Sequence, residues 1–345
     1  MNDNEPIWAP SPDRILSSHM FRFARAAEAI SHRSLPDQDS LWQWSVEEPE
    51  AFWTLLWSFC GVIGDRGERV LVDGQKMPGA RWFPDARLNL AENILRDDLD
   101  PDEDAVIAWG EDQARRRLSR RELRRQVAVM AAALRSKGVG QNDVVAAFMP
   151  NVPETLVAML AAVSLGAIFT STSPDFGVQG VLDRFLQSRP KVLLVADGYL
   201  YNGKRIGCLA KVAEIAAQLP SLECLVIVGY AGDDVSLAPP MSERLEDFLA
   251  PYEGVDTISF ARLPFDHPVF VLYSSGTTGA PKGIVHGAGG ILLQNMKDQH
   301  LHGDTGPGDR YFYFTTCGWT MWKPSWHGGS EPRAWKKGSD GKTAN

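Results

Sequence analysis

A stretch rich in serine, threonine and glycine carries the residues best suited to phosphate chemistry. It covers residues 273–283 and reads Tyr-Ser-Ser-Gly-Thr-Thr-Gly-Ala-Pro-Lys-Gly. The stretch follows the apolar run Val269-Phe270-Val271-Leu272 and precedes Ile284-Val285, which indicates a loop that leaves a buried strand. Hydroxyl and ammonium groups bind phosphate oxygens, and glycines let the backbone turn and present its amides to an anion. The candidate phosphate-binding residues are Ser274, Ser275, Gly276, Thr277, Thr278, Gly279 and Lys282.

Three other interpretations of this loop fit its spacing less well. A flexible linker has a similar composition, but this stretch lies between two β-type runs and contains Pro281, which restricts the backbone. A Walker A loop needs a second glycine five residues after its first, followed by Lys and Ser or Thr. Here Pro281 stands five residues after Gly276, and Gly283 follows the lysine. A serine-hydrolase elbow needs Gly-x-Ser-x-Gly, which is not centred on Ser274 or Ser275.

At these residues the chain resembles the AMP-forming acyl-CoA synthetases, the adenylate-forming ligases, whose signature loop ends in Pro-Lys-Gly. Within that family it is most similar to ligases for a short oxo-acid such as acetoacetate. Further matching segments are 42–46, 88–93, 166–177 and 201–204, together with Thr315-Thr316 and Gly318-Trp319. The resemblance runs from about residue 8 to residue 322.

The resemblance implies a two-step reaction and a set of substrates. A carboxylate and ATP first give an acyl-adenylate and pyrophosphate, and the thiol of CoA then displaces AMP to give a thioester. The loop 274–282 would hold the β and γ phosphates of ATP, with Mg²⁺ as the counter-ion. The sequence identifies no Mg²⁺ ligands, and we assign no metal site.

Two further sites follow from the resemblance alone. Trp319, Thr320 and Met321 would line the acyl pocket, where relatives usually have methionine in place of Thr320, and a hydroxyl there would alter acyl preference. Lys204 and Arg205 would bind the phosphates of CoA. The alternatives remain open, namely that residues 319–321 are ordinary core residues and that Lys204 and Arg205 lie in a solvated turn.

Composition narrows the classes of function. The length of 345 residues and hydrophobic content of 44% suit a globular protein of two or more domains. A net charge of −8 argues against broad binding to nucleic acid or to anionic membranes, so we expect small-molecule partners only. Four widely spaced cysteines favour free thiols in a reducing compartment, hence the cytoplasm. The most apolar region, 156–169, is too short to span a membrane.

The chain divides into three parts that must position these residues. Residues 1–100 are helical and aromatic, and we expect Trp42, Trp44, Phe52, Trp53, Trp57 and Phe59 to form one packed face. Residues 101–322 alternate strands and helices, beginning with a strand at 105–109, which predicts a partial AMP-binding α/β domain. The fold class is therefore α/β, with a doubly wound, mostly parallel sheet and a helical N-terminal extension. The polar tail 323–345 is predicted to be disordered.

The resemblance stops before the family's base contacts and before its small C-terminal domain with the catalytic lysine. We therefore expect an incomplete large N-terminal domain that is inactive as written, and we identify no catalytic residue. Two alternatives to an acetoacetate ligase remain, a non-catalytic nucleotide-binding remnant and a ligase for acetate or propionate.

Overall fold

The computed structural model describes residues 8–111, 115–233, 235–274, 279, 281–313, 315–319 and 322. Within these residues the α-helices are α1 (Pro12–Ser17), α2 (His19–Ser31), α3 (Gln38–Glu47), α4 (Pro49–Phe59), α5 (Leu90–Ile94), α6 (Arg120–Ser136), α7 (Pro153–Ser164), α8 (Val178–Ser188), α9 (Leu209–Ala217), α10 (Leu245–Leu249) and α11 (Ala288–Met296). Short 3₁₀ turns cover Val235–Leu237 and Ala250–Tyr252, and a π-helical segment covers Lys297–His302.

The strands of the same residues are β1 (Gly64–Asp65), β2 (Leu71–Val72), β3 (Arg81–Trp82), β4 (Arg87–Leu88), β5 (Asp104–Trp109), β6 (Arg115–Ser119), β7 (Val144–Phe148), β8 (Ile168–Thr172), β9 (Val192–Ala196), β10 (Gly198–Tyr201), β11 (Lys204–Gly207), β12 (Cys224–Val228), β13 (Ser242–Arg244), β14 (Leu263–Pro264), β15 (Pro268–Ser274) and β16 (Lys282–Gly287).

A central sheet of seven strands forms the body of the fold. Its order is β13-β12-β9-β7-β8-β15-β16. The first six strands are parallel to their neighbours, and β16 pairs antiparallel with β15 at one edge. The predicted α/β fold with a mostly parallel sheet is thus confirmed.

Helices cover both faces of this sheet because its strands are apolar on both sides. In β7, Val145 and Ala147 belong to one hydrophobic cluster, whereas Ala146 and Phe148 belong to another. Buried residues of α6 and α7 join the first cluster, and those of α8 and α9 join the second. This double covering is the reason that parallel strands appear as continuous apolar runs in the sequence.

Local signals set the bounds of the helices near the site. The Ser119 hydroxyl accepts a hydrogen bond from the Glu122 amide (3.2 Å) and caps α6. Gly138, with φ of 72°, follows the end of that helix, where a left-handed residue is favoured. Pro153 opens α7, whose first turn needs no amide donor from it. The sequence carries a signal for each feature, namely the Ser119–Glu122 capping box, a glycine after residue 137 and a proline at a first helical turn.

Two predictions about the sheet are wrong. The strand β5 does not open the parallel sheet but pairs antiparallel with β6 in a separate two-stranded sheet. In β6 the arginines at 115–117 are exposed and Leu118 is buried, so this hairpin lacks the two apolar faces that a central strand needs. The glycines, aspartates and prolines of 230–263 predict a loose connection there, but residues 242–244 within it form the edge strand β13.

The N-terminal helices form an aromatic core with one exception. Phe23 and Trp44 are fully buried, and the Phe23 ring makes edge contacts with Phe52 and Phe59 at centroid distances of 5.6 and 5.3 Å. Trp42, however, is 61% exposed, so the prediction of one face for all six aromatics is wrong. The side chains of residues two apart on a helix point in nearly opposite directions, and on α3 the side chain of Trp44 is the one that points into the core.

The N-terminal helices and the central sheet share one hydrophobic cluster, which contains residues from both 1–100 and 101–322. The three-part division of the chain stays a prediction. In the described part of the chain, every helix is too short or too polar to cross a bilayer.

Candidate functional site

The predicted phosphate loop connects β15 to β16, and both of its ends are described. Ser274 ends β15 and lies directly opposite Lys282, the first residue of β16. Gly279 has φ of 102°, a backbone conformation that side chains disfavour. The structure thus brings Ser274, Gly279 and Lys282 into one hairpin connection. The candidates Ser275, Gly276, Thr277 and Thr278 lie outside the described residues.

Helix α8 contacts the chain on both sides of the loop. The Tyr273 hydroxyl donates to the backbone carbonyl of Arg184 (2.7 Å), and the Gln187 amide donates to the carbonyl of Pro281 (2.9 Å). Burial raises the pKa of Tyr273, so this phenol stays protonated and keeps its donor. The entry and exit of the loop are therefore fixed to one rigid element.

The carboxyl ends of β7 and β8, next to β15, are the place where a doubly wound sheet has its ligand-binding crevice. These strands are neighbours, but the chain leaves β7 for α7 on one face and leaves β8 for α8 on the other. Parallel sheets bind ligands at such a switch point. The strand β15 is parallel to β8, so its carboxyl end, Ser274, lies at the same edge of the sheet.

The segment 315–319 lies across this crevice. The Ser171 hydroxyl at the end of β8 donates to the backbone carbonyl of Cys317 (2.5 Å), and the Cys317 thiol donates to the carbonyl of Met149 after β7. A Cβ placed on Gly318 would lie 2.8 Å from the Ser173 nitrogen, so a glycine lets the two chains approach. The described part of the predicted acyl-pocket segment therefore lies at the carboxyl ends of β7 and β8, and β8 is the neighbour of β15.

Of the three acyl-pocket candidates, only Trp319 is described. Its indole is 50% exposed and stacks on the Tyr313 ring at a centroid distance of 6.4 Å. Thr320 and Met321 lie outside the described residues. The segment is anchored again at Trp322, which is buried and donates its indole N–H to the Asn151 side chain (2.9 Å).

Sequence reasoning missed the hydroxyl groups at the end of β8. Thr170 donates to the carbonyl of Val271 (2.8 Å), which ties β8 to β15. The Thr172 hydroxyl is buried without a hydrogen-bond partner among the described residues. A run of four hydroxyl residues, 170–173, at the end of an otherwise apolar strand is the signal that would have identified them.

Lys204 and Arg205 begin β11 in a hairpin that leaves the carboxyl end of β9. Asn202 and Gly203 both have positive φ, at 51° and 74°, which is the two-residue turn typical of Asn-Gly hairpins. Arg205 donates to the carbonyl of Ala231 (2.9 Å), whereas Lys204 is exposed. Lys204 and Arg205 therefore lie at the same sheet edge as the phosphate hairpin. They belong to the strand β11 and not to the Asn202-Gly203 turn itself.

A cavity of about 270 Å³ lies elsewhere, between the N-terminal helices and α11. Cys60, Arg96 and His300 line it, and none of them is a predicted site residue. Burial raises the pKa of Cys60 to about 12 and lowers that of His300, so both groups are neutral at pH 7. The cation of this lining, Arg96, is held by two hydrogen bonds to the Asp98 carboxylate (2.6 Å each), so the cavity offers a phosphate little net attraction.

No cluster of three or more His, Cys, Asp or Glu side chains able to hold a metal ion occurs among the described residues.

Comparison with known proteins places this geometry in a family. The sequence model described as AMP-binding enzyme matches residues 96–324, and that described as acetyl-coenzyme A synthetase N-terminus matches residues 38–94. The chain is 49% identical to the acetoacetyl-coenzyme A synthetase of Rhizobium meliloti (strain 1021) over 93% of its own length and 49% of the relative's. It is 41% identical to the acetoacetyl-CoA synthetase of Rattus norvegicus over 90% and 47%, respectively.

A solved structure agrees with these sequence matches. The acetoacetyl-CoA synthetase of Streptomyces lividans superposes with a TM-score of 0.86 and is 41% identical, covering 93% of this chain and 49% of that one. The resemblance expected from the loop is confirmed. The chain spans about half the length of the relatives it matches.

Proposed function

Because the chain belongs to the AMP-binding enzyme family, we propose that it supplies the ATP-phosphate site and part of the acyl site of an acetoacetate–CoA ligase. The overall reaction converts ATP, acetoacetate and CoA to acetoacetyl-CoA, AMP and pyrophosphate. Acetoacetate attacks the α-phosphorus of ATP and releases pyrophosphate, and the thiol of CoA then displaces AMP from the acyl-adenylate. The names of the relatives support acetoacetate as the acid.

The observation that carries this proposal is the pairing of Ser274 with Lys282 beside the crevice. Cross-strand partners point to the same side of a sheet, so a hydroxyl donor and an ammonium group are presented together. The β and γ phosphates of ATP need such donors, which become more important as charge develops on the leaving pyrophosphate. Loss of one charge-assisted hydrogen bond costs about 1.5–3 kcal/mol.

The acyl group is assigned to the neighbouring segment that carries Trp319, Thr320 and Met321. An exposed indole stacked on Tyr313 offers a rigid apolar wall at the carboxyl edge of the sheet. Acetoacetate is short and carries a second carbonyl, so a wall with one hydroxyl suits it better than a purely apolar one. The hydroxyl in this proposal is that of Thr320.

CoA and Mg²⁺ complete the proposed set of ligands. We assign the CoA phosphates to Lys204 and Arg205, with Lys204 the more available cation because Arg205 already binds the Ala231 carbonyl. Mg²⁺ would neutralise the triphosphate, and its ligands in the protein are not assigned. All four cysteines are buried, and none of them forms a disulfide in the described part of the chain, which supports a reducing compartment such as the cytoplasm.

Exchange of labelled pyrophosphate into ATP tests the proposal in a fusion of this chain with the C-terminal half of a relative, because this chain spans about half the length of the relatives it matches. An acetoacetate ligase exchanges label only when the acid is present, and faster with acetoacetate than with acetate or propionate. Faster exchange with acetate or propionate would contradict the acyl assignment. Binding of ATP without exchange in the presence of any of these acids would favour a non-catalytic nucleotide-binding protein.

A further inference from the structure

Arg184 is a buried cation next to the phosphate hairpin, and none of the described carboxylates forms an ion pair with it. The residue is 9% exposed, and its guanidinium donates to the backbone carbonyl of Gly180 (2.6 Å). The guanidinium carbon lies 4.4 Å from the ring centroid of Phe176 and 5.8 Å from that of Tyr273. Burial lowers the pKa of Arg184 through desolvation. A buried charge is weak evidence of a role in stability, since an apolar side chain often serves as well there.

Tyr273, one of the two aromatic residues whose rings lie beside the Arg184 guanidinium, leads into the phosphate hairpin. Tyr273 immediately precedes Ser274 and is buried, with its hydroxyl on the Arg184 carbonyl. Gln187, on the next turn of α8, holds the exit of the loop through the Pro281 carbonyl. Because Arg184 and Gln187 are three residues apart, they lie on one face of the helix.

The other ring belongs to the acyl side. A Cβ placed on Gly318 would lie 3.4 Å from Cε2 of Phe176, so this ring packs against the segment 315–319. The position of Phe176 is fixed independently by Lys211, whose ammonium donates to the carbonyls of Pro174 (2.9 Å) and Phe176 (3.4 Å). Contacts therefore run from Gly318 through Phe176 and Arg184 to Tyr273.

We propose that Arg184 is a positioning residue that couples the phosphate hairpin to the acyl-side segment without touching either substrate. Its guanidinium holds Phe176 and Tyr273 in one arrangement, so a shift of either ring changes the packing of the other. This inference rests on the proposed function, which assigns triphosphate to the hairpin and the acyl group to the segment with Trp319. It predicts that a ligand bound at the phosphate hairpin changes the affinity of the acyl-side segment for its own ligand, and the reverse. The reason is that Phe176, Arg184 and Tyr273 pack against one another between the two.

The first test compares nucleotide affinities of variants of the 345-residue chain by calorimetry. Arg184→Met keeps much of the side-chain length but removes the charge, and it should weaken ATP binding about 10-fold while changing AMP binding less than about 2-fold. Arg184→Lys should recover most of the ATP affinity, since it restores a cation over the rings. Arg125→Met, at an exposed arginine of α6, is the matched control and should change neither affinity.

A merely structural role gives a different result. Equal losses for ATP and AMP would overturn the proposal, as would a lower melting temperature with an unchanged ratio of the two affinities. The absence of rescue by Arg184→Lys would overturn it as well.

Hydrogen–deuterium exchange without nucleotide tests separately whether Arg184 couples the hairpin to the acyl-side segment. Arg184→Met should speed exchange both in 173–177 and in 281–287, whereas faster exchange in only one of them, or in neither, would overturn the proposal. If the unsubstituted chain binds no ATP, or if Lys282→Ala leaves ATP affinity unchanged, the proposed function fails. In that case the hydrogen–deuterium exchange result still decides whether Arg184 couples the hairpin to the acyl-side segment.

Discussion

Ser274 and Lys282 stand directly opposite each other where the ladder between β15 and β16 ends. The last residue of a central parallel strand is thereby paired with the first residue of the edge strand. Backbone pairing between β15 and β16 fixes the two ends of the loop that connects them. A short connection held in this way can present amides, hydroxyls and one ammonium group at a fixed place on the sheet edge.

Replacement of Lys282 tests the phosphate assignment. Lys282→Ala should weaken ATP binding by about 10-fold, or about 1.4 kcal/mol, because a charge-assisted contact to phosphate is lost. AMP lacks the β and γ phosphates, so its affinity should stay nearly constant. Lys76→Ala, at an exposed lysine of the N-terminal region, is the control in the same titration calorimetry. Equal weakening of ATP and AMP would remove Lys282 from the proposed site.

Strands with continuous apolar runs were predictable from the sequence. Apolar runs in the sequence predict strands at 224–228 and 144–148, and the structure has β12 at Cys224–Val228 and β7 at Val144–Phe148. In both strands every residue is apolar, since helices cover the sheet on two faces. The phosphate hairpin was predictable for the same reason, because apolar runs on both sides identified its strands.

Pairing partners and side-chain contacts were not predictable. The hydrogen bonds from Tyr273 to Arg184 and from Gln187 to Pro281 join residues 89 and 94 positions apart, and a single sequence carries no signal for such pairs. The partner of β5 was missed because β6 is rich in arginine and lacks an apolar pattern. The Asn202-Gly203 turn did carry a signal, since this dipeptide is typical of two-residue hairpins.

Alanine substitutions at two adjacent glycines of α11 should change the free energy of unfolding in opposite directions. A Cβ on Gly289 would overlap the ring of Phe265, which is buried against Phe83. A Cβ on Gly290 meets no atom within 4 Å. We expect Gly289→Ala to lower the free energy of unfolding by about 1–3 kcal/mol and Gly290→Ala to raise it by about 0.5–1 kcal/mol. Urea unfolding of both variants measures the difference, and a common sign would contradict the packing of α11 on Phe265.

Buried thiols should make the protein sensitive to alkaline pH. Burial raises the pKa of Cys60 to about 12 and that of Cys208 to about 11, whereas an unfolded thiol titrates near about 8.5. Above that value the unfolded chain loses protons that the native chain keeps, so the free energy of unfolding falls as pH rises. Each thiol contributes a slope of up to about 1.4 kcal/mol per pH unit.

The double variant Cys60→Ala and Cys208→Ala separates this effect from other titrations. Its unfolding free energy, measured by urea titration between about pH 8 and pH 11, should fall less steeply with pH than that of the unsubstituted chain. Parallel slopes for the two proteins would show that these thiols titrate alike in the native and unfolded states. A lower free energy at every pH is expected from the lost side-chain packing and does not affect the comparison of slopes.

A methyl group added at Gly318 should affect the proposed acyl site more strongly than the proposed phosphate site. That Cβ would lie 2.8 Å from the Ser173 nitrogen and 3.4 Å from the Phe176 ring, and the backbone atom cannot move without shifting the end of β8. In the fusion with the C-terminal half of a relative, Gly318→Ala should therefore push the segment with Trp319 out of the crevice and lower acetoacetate-dependent pyrophosphate exchange by about 10-fold or more. ATP affinity should fall by a smaller factor, about 3-fold, because the displaced segment acts on the hairpin with Ser274 indirectly, through Phe176, Arg184 and Tyr273. Gly254→Ala, where a Cβ meets nothing within 4 Å, is the matched control. Unchanged exchange in Gly318→Ala would show that the approach of this segment to β8 has no part in binding the acid.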